Sequence, residues 1–336
     1  MNRRTFARTA FQAALITTIP GLLPALARAA AAAAAGPGGF PDRPLHAVVP
    51  YPAGGVVDVT LRAVLDRMSL DLPQRVVVEN RPGADGRIGI EFAGRAPADG
   101  YTLLGVSPVF AVAQTLYPDS GIRIQNFRAV GAVAAVPSVY VVHNDVPART
   151  LKEFTVWAKA RPGAVNVPVP GVGSSLHLAQ ELFFESTGVR VTNVGYKGQP
   201  PSVLDLGRGQ LQFALLSQNL ALPLIQSKRV RPLAVNATKR TRSLPDIPTI
   251  AEAGYPEALV QSWYGLAVHA RTAPAIVDYL STALQSTMAT PDVRGKLEAL
   301  DAEIFALDAR QFDSLIQAEA ARLATLIKAR NIKVDA

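Results

Sequence analysis

The chain has no cysteine, which excludes a disulfide framework and a lipid-modified N-terminus. Only four histidines occur in 336 residues, and none sits in a His-Glu-x-x-His pattern. His177 and Glu181 have the i, i+4 spacing of a metal-ligand pair, but no third ligand lies nearby, so no metal is expected. Aromatic residues make up 7% and there is no basic run, which speaks against a surface that stacks bases. A Walker loop, a dinucleotide fingerprint and a cysteine pair are all missing, so no cofactor is expected. Past the first 30 residues, no apolar run reaches bilayer-spanning length.

What is present begins with a leader. Asn2-Arg3-Arg4-Thr5-Phe6 precedes a weakly apolar stretch from Ala10 to Ala27, broken by Pro20, Gly21 and Pro24. This reads as a secretory signal of twin-arginine type, or an ordinary Sec signal that carries paired arginines, cleaved near Ala27 to Ala29, with an unstructured leader to Gly39. The expected destination is the periplasm. The formal net charge of +8 includes Arg3, Arg4, Arg8 and Arg28, so removing the leader leaves +4. That charge is too mild to argue for nucleic acid.

Along the remaining chain, β-rich and helical stretches alternate, which predicts an α/β protein with largely parallel sheets. Two places run strand, glycine turn, helix start. The first is Leu45–Val49, then Pro50-Tyr51-Pro52-Ala53-Gly54-Gly55, then a helix from Val56. The second is 165–169, then Pro170-Gly171-Val172-Gly173-Ser174, then a helix from Ser175. A helix start leaves backbone N–H groups unpaired and carries partial positive charge, and a turn without bulky side chains lets an anion reach it. Two such starts on separate lobes fit a small solute carrying carboxylates. A β-branched residue at Gly55 is therefore expected to abolish binding.

The runs Val49-Pro50-Tyr51-Pro52-Ala53-Gly54-Gly55, Glu79-Asn80-Arg81-Pro82-Gly83, Asp99-Gly100-Tyr101-Thr102, Gly171-Val172-Gly173-Ser174-Ser175-Leu176-His177-Leu178, Tyr196-Lys197-Gly198 and Leu244-Pro245-Asp246-Ile247-Pro248-Thr249 occur in order over the whole expected mature chain. In this it resembles the substrate-binding proteins of tripartite tricarboxylate transporters, the Bug family of Bordetella and its relatives. The resemblance implies a two-lobed periplasmic binding protein of type II-like fold with the ligand cleft between its lobes. It also implies a monomer that closes on a small carboxylate solute and delivers it to membrane permease subunits.

On that resemblance the expected ligand-binding residues are Tyr51, Ala53, Gly54, Gly55 and Asp58 from the first turn, with bridging waters. Gly171, Gly173, Ser174, Ser175 and His177 come from the second, and Lys197 and Gly198 from a turn beside the cleft. Ser107 and Ser217 stand where the sequence departs from the family pattern near the pocket. Asp58 reads first as a carboxylate that fixes its own loop. Pro168 and Pro170 are a further departure, since they remove backbone donors before the second turn. The expected lobes are 40–143 with 237–336, and 144–236, after a leader of 1–39. A sensor that passes solute state to a membrane partner uses the same closure. A serine hydrolase acting through Ser174 or Ser175 lacks the Gly-x-Ser-x-Gly elbow and a base.

Overall fold

A computed structural model describes residues 36–333. The expected leader falls almost wholly outside them. Among the described residues no helix is long and apolar enough to cross a membrane.

The larger lobe is built on a six-stranded sheet. Its strands are β1 (Leu45–Val49), β2 (Val76–Asn80), β3 (Thr102–Val106), β4 (Phe127–Val136), β10 (Ser262–His269) and β11 (Glu303–Ile304), in the order β11-β4-β10-β3-β1-β2. Helix α1 (Val56–Asp71) packs on one face with α8 (Pro274–Met288) and α9 (Pro291–Glu298). Helices α2 (Arg87–Arg95), α3 (Pro108–Leu116) and the first half of α10 (Ala309–Ala329) pack on the other. Past the exposed His46 both faces are covered, and so the rest of β1 is apolar: Leu45, Ala47 and Val49 face one layer, Val48 the other.

The smaller lobe carries β5 (Ser138–His143), β6 (Asn166–Val169), β7 (Thr192–Gly195), β8 (Phe213–Ser217) and β9 (Val230–Asn236). Its helices are α4 (Leu151–Lys159), α5 (Ser175–Thr187), α6 (Gln199–Gly207) and α7 (Gln218–Gln226). Strands β8-β5-β9 form one ladder and β6-β7 another. Pro168 has no N–H to continue a ladder between β6 and β8. The side chain of Gln180 bridges the gap, donating to the Pro168 carbonyl at 3.0 Å and accepting from the Leu215 amide at 3.1 Å. Phe154, Phe183, Phe184, Phe213 and Tyr140 fill the core, with the Phe154 and Phe213 rings stacked at 4.3 Å.

Two expectations need correction. Only three strand pairings among the described residues are parallel and five are antiparallel. Two of the five arise because β10 enters the middle of the larger sheet after the chain has returned from the other lobe, and two more because β5, the first strand of the smaller lobe, runs against both β8 and β9. The boundary placed at 143 also cuts behind a strand of the wrong lobe, because β5 pairs with β8 and β9. The outward crossing is at Pro137. The return segment packs Ile250, Ala258 and Val260 into the smaller lobe's core and crosses back just before Ser262. Asn236 ties the crossings together, its Nδ2 donating to the Val260 carbonyl at 2.8 Å and to Ser138 Oγ at 3.2 Å.

A third link is α10. Its Phe312, Ile316 and Ala320 belong to the core of the larger lobe, and its Leu323, Leu326 and Ile327 to that of the smaller.

Candidate functional site

Between the lobes lies a cavity of about 220 Å³ lined by Tyr51, Val56, Val57, Ser107, Pro108, Val109, Pro170, Ser174, Ser175, Leu176, Gly198, Gln199, Ser217, Ser262 and Tyr264. No charged side chain is among them. Five helices begin at this wall: α1 and α3 from the larger lobe, α5, α6 and α7 from the smaller. Val56, Val57, Val109, Ser175, Leu176 and Gln199 are first-turn residues, whose amides an α-helix leaves unpaired. Pro108 and Pro200 contribute no donor, and the Gln218 amide is taken by the Pro137 carbonyl at 3.1 Å.

Hydroxyls complete the wall. Tyr51 and Ser107 share a hydrogen bond of 2.7 Å, and burial pushes the Tyr51 phenol up to about 12. Ser175 and Ser262 share another of 2.7 Å that runs from one lobe to the other. Gln199 donates to Ser217 Oγ and accepts from the Ser217 amide, both at 2.8 Å. Burial also raises the Tyr264 phenol, so both tyrosines stay neutral donors at neutral pH.

The expected residues divide accordingly. Tyr51, Ser107, Ser174, Ser175, Gly198 and Ser217 are in the wall. Ala53 and Gly54 are exposed on the turn outside it. Gly55 caps α1, and its amide is bonded to the Pro52 carbonyl at 3.2 Å. Asp58 faces its own loop: it accepts from the Gly54 amide at 2.9 Å, from Asn80 Nδ2 at 2.8 Å and from Arg62 at 2.7 Å. These hydrogen bonds hold its carboxyl below the usual carboxylate range against the opposing effect of burial.

Gly171 and Gly173 lie behind the wall. A Cβ at Gly173, where φ is +77°, would overlap Leu116 Cδ1 of the other lobe. His177 is buried on the far side of the turn, where its Nδ1 accepts from the Gly173 amide at 3.1 Å. Lys197 is exposed and outside the wall. Among the described residues no cluster of His, Cys, Asp and Glu suits a metal ion.

Gln199, Ser262 and Tyr264 are wall residues that sequence reasoning did not find. The signal for the last two was present: Ser262-Trp263-Tyr264-Gly265-Leu266-Ala267-Val268 is a β-rich run between Pro256 and the helix start at Pro274.

Two lobes joined by paired crossings, with a neutral, donor-rich cavity between them, define a two-lobed solute-binding protein. The profile described as "Tripartite tricarboxylate transporter family receptor" matches residues 60–332, and the chain belongs to that family. Protein BugT of Bordetella pertussis is 35% identical over 254 residues, covering 74% of this chain and 78% of BugT. The solved structure of periplasmic binding protein BugD is 30% identical with a TM-score of 0.75, covering 88% of this chain and 99% of BugD. Rpa4515 of R. palustris, solved with adipate, is 31% identical with a TM-score of 0.77 and the same coverage of the two chains.

Proposed function

We propose that this protein, exported to the periplasm by its N-terminal leader, captures a small carboxylate solute between its lobes as a monomer and presents it to tripartite permease subunits. The observation that carries this reading is a wall of first-turn amides and hydroxyls drawn from both lobes with no cation in it. A carboxylate receiving charge-assisted hydrogen bonds, at about 1.5–3 kcal/mol each, needs no arginine partner. The adipate bound by Rpa4515 fits the same chemistry, a carboxylate at each end of an apolar chain. Here Val56, Val57, Val109 and Leu176 offer the apolar middle.

A binding role is also supported over hydrolysis by the bonds of His177. Its ring is bonded to the Gly173 amide and not to Ser174 or Ser175, and Ser174 Oγ is occupied as the cap of α5, accepting from the His177 amide at 3.2 Å. A serine nucleophile needs a base within hydrogen-bond reach.

Calorimetric titration with adipate, succinate, malate, citrate, glutamate and benzoate, with mass spectrometry of each mixture, tests the proposal. Saturable binding with the solute recovered intact is expected for at least one acid. Turnover of any of them, or binding only of neutral analogues, overturns it. A native mass spectrum of protein drawn from periplasm identifies the solute it captures there.

A further inference from the structure

We propose that His177 is a proton-sensitive latch for the second glycine turn, holding it in the solute-binding shape when neutral and releasing it when protonated. This rests on reading the Gly171–Ser175 turn as a solute contact.

The geometry is a chain of contacts running from the cavity wall to the C-terminal segment. Ser174 and Ser175 are in the wall. One residue before them, the Gly173 amide donates to His177 Nδ1 at 3.1 Å, with His177 only 4% exposed. An imidazole nitrogen that accepts from an amide carries no proton, so the ring is the Nε2–H tautomer. Its Nε2 lies 3.8 Å from Glu181 Oε1. Glu181 is already satisfied: Asn193 Nδ2 donates to it at 2.9 Å, and Arg330, just beyond α10, donates through Nε at 3.1 Å and a terminal nitrogen at 3.0 Å.

A proton on Nδ1 turns the acceptor into a donor facing another donor. The Gly173 amide then loses its partner in a buried place, and the turn must shift to find another. Gly173 sits at φ +77° with Leu116 of the other lobe where a Cβ would be, so a turn that shifts toward that lobe meets Leu116 and presses the lobes apart. Protonation thus favours the arrangement in which solute leaves.

The charged groups around the ring set where this happens. Glu181 on the same helix favours the cation, whereas Arg330 opposes it by neutralising Glu181; Glu185, Arg190 and Lys333 line the same outer cavity. Burial outweighs Glu181 and pushes the imidazole below its ordinary range. The neutral latch therefore persists at neutral pH and is lost on acidification.

The decisive measurement uses the solute-free protein with ¹⁵N-labelled glycine and histidine, followed by NMR from pH 8 to pH 4.5. The expected result is an unprotonated Nδ1 on His177 at pH 7.5, and a Gly173 amide that shifts with the same midpoint as the His177 ring. A protonated Nδ1 at pH 7.5, or a Gly173 amide that ignores the ring's titration, overturns the proposal.

The binding arm compares adipate affinity at pH 7.5 and at one pH unit below the His177 midpoint found by NMR, in wild type and His177→Asn, which places a carbonyl oxygen where the imidazole carries Nδ1. Using the same acid in both cancels its own titration. Wild type should lose at least fivefold more affinity than His177→Asn over that interval, and His177→Leu should bind weakly at both. Equal pH profiles for wild type and His177→Asn overturn the latch. If adipate binds none of the three, the choice of solute is at fault, and the NMR result decides the latch by itself.

Discussion

The two glycine turns share one sequence logic, strand to glycine to helix start, but they are held by different means. The first is locked within its own lobe: Asp58 gathers the Gly54 amide, Arg62 and Asn80 around one carboxylate. The second is held from both sides: His177 of its own lobe accepts from the Gly173 amide, while Leu116 of the other lobe lies beside Gly173 and Asp85 Oδ1 is 3.9 Å from the place of a Gly171 Cβ. A turn locked by its own lobe keeps its shape whether the lobes meet or part. One that also touches a partner across the cleft has an extra contact that is made on closure and lost on opening, and so couples to the hinge.

The largest expected effect comes from breaking the second turn. Gly173→Val combines a left-handed backbone position with overlap onto Leu116, and should weaken solute binding by about 100-fold or more. Because the overlap crosses between lobes, the empty protein can relieve it by opening, so its Tm should fall only by the several degrees that a backbone cost of about 1–2 kcal/mol implies. Adding Leu116→Ala should restore part of the affinity, as expected for residues in contact. A large loss of Tm without solute, or no rescue, would show that the turn is fixed within its own lobe like the first.

Breaking the first turn should instead cost stability. Asp58→Asn removes a carboxylate accepting several hydrogen bonds and leaves Arg62 without its charge partner, a loss of about 2 kcal/mol at pH 7. The sign with pH follows from linkage. The folded carboxyl titrates below its unfolded value, so its contribution is complete above about pH 4 and disappears as the pH falls through the depressed value. Chemical denaturation of both proteins at pH 7 and pH 2.5 should therefore show the difference shrinking toward zero. A constant difference would place the effect in packing and not in the charge.

Both turns were legible because they carry short-range signals: β-rich runs, glycines and an apolar helix face beside each other in the chain. The middle of the larger sheet was not. Strand β4 reads Phe127-Arg128-Ala129-Val130-Gly131-Ala132-Val133-Ala134-Ala135-Val136, where alanine and glycine, which strands disfavour, separate the valines and break the alternation. The reason lies in packing between layers: a Cβ at Gly131 would come 2.9 Å from Leu284 of α8, so small residues there let the helix approach. Sequence spacing carries no sign of that distant neighbour. The same holds for the lobe boundaries, which depend on which strands pair, and for His177, whose partner is a backbone amide and not a side chain.

The cross-lobe hydroxyl pair offers a finer probe. Ser175→Ala or Ser262→Ala removes the 2.7 Å contact and should weaken binding by about 1 kcal/mol each. The double variant should lose little more than Ser262→Ala alone, since both substitutions delete the same bond and Ser262 also hydrogen-bonds the Tyr264 hydroxyl. Fully additive losses in calorimetry would mean that each hydroxyl contacts the solute separately.

The smallest effect is expected at the glycine that the sequence singles out most strongly. Gly55 has φ −70° and ψ 164°, extended backbone open to any residue, and its own amide is already bonded to the Pro52 carbonyl. A Cβ there would lie 3.2 Å from that carbonyl oxygen, which asks for a shift of a few tenths of an ångström on an open turn. Gly54 is the position with φ +76°, where alanine should cost about 1 kcal/mol. Gly55→Ala should therefore change stability by less than about 0.5 kcal/mol and solute affinity by less than about twofold. If Gly55→Ala abolishes binding while Gly54→Ala does not, the solute must approach the Gly55 backbone itself. The first turn would then act through direct contact, and the contrast with the second would narrow to how each is supported.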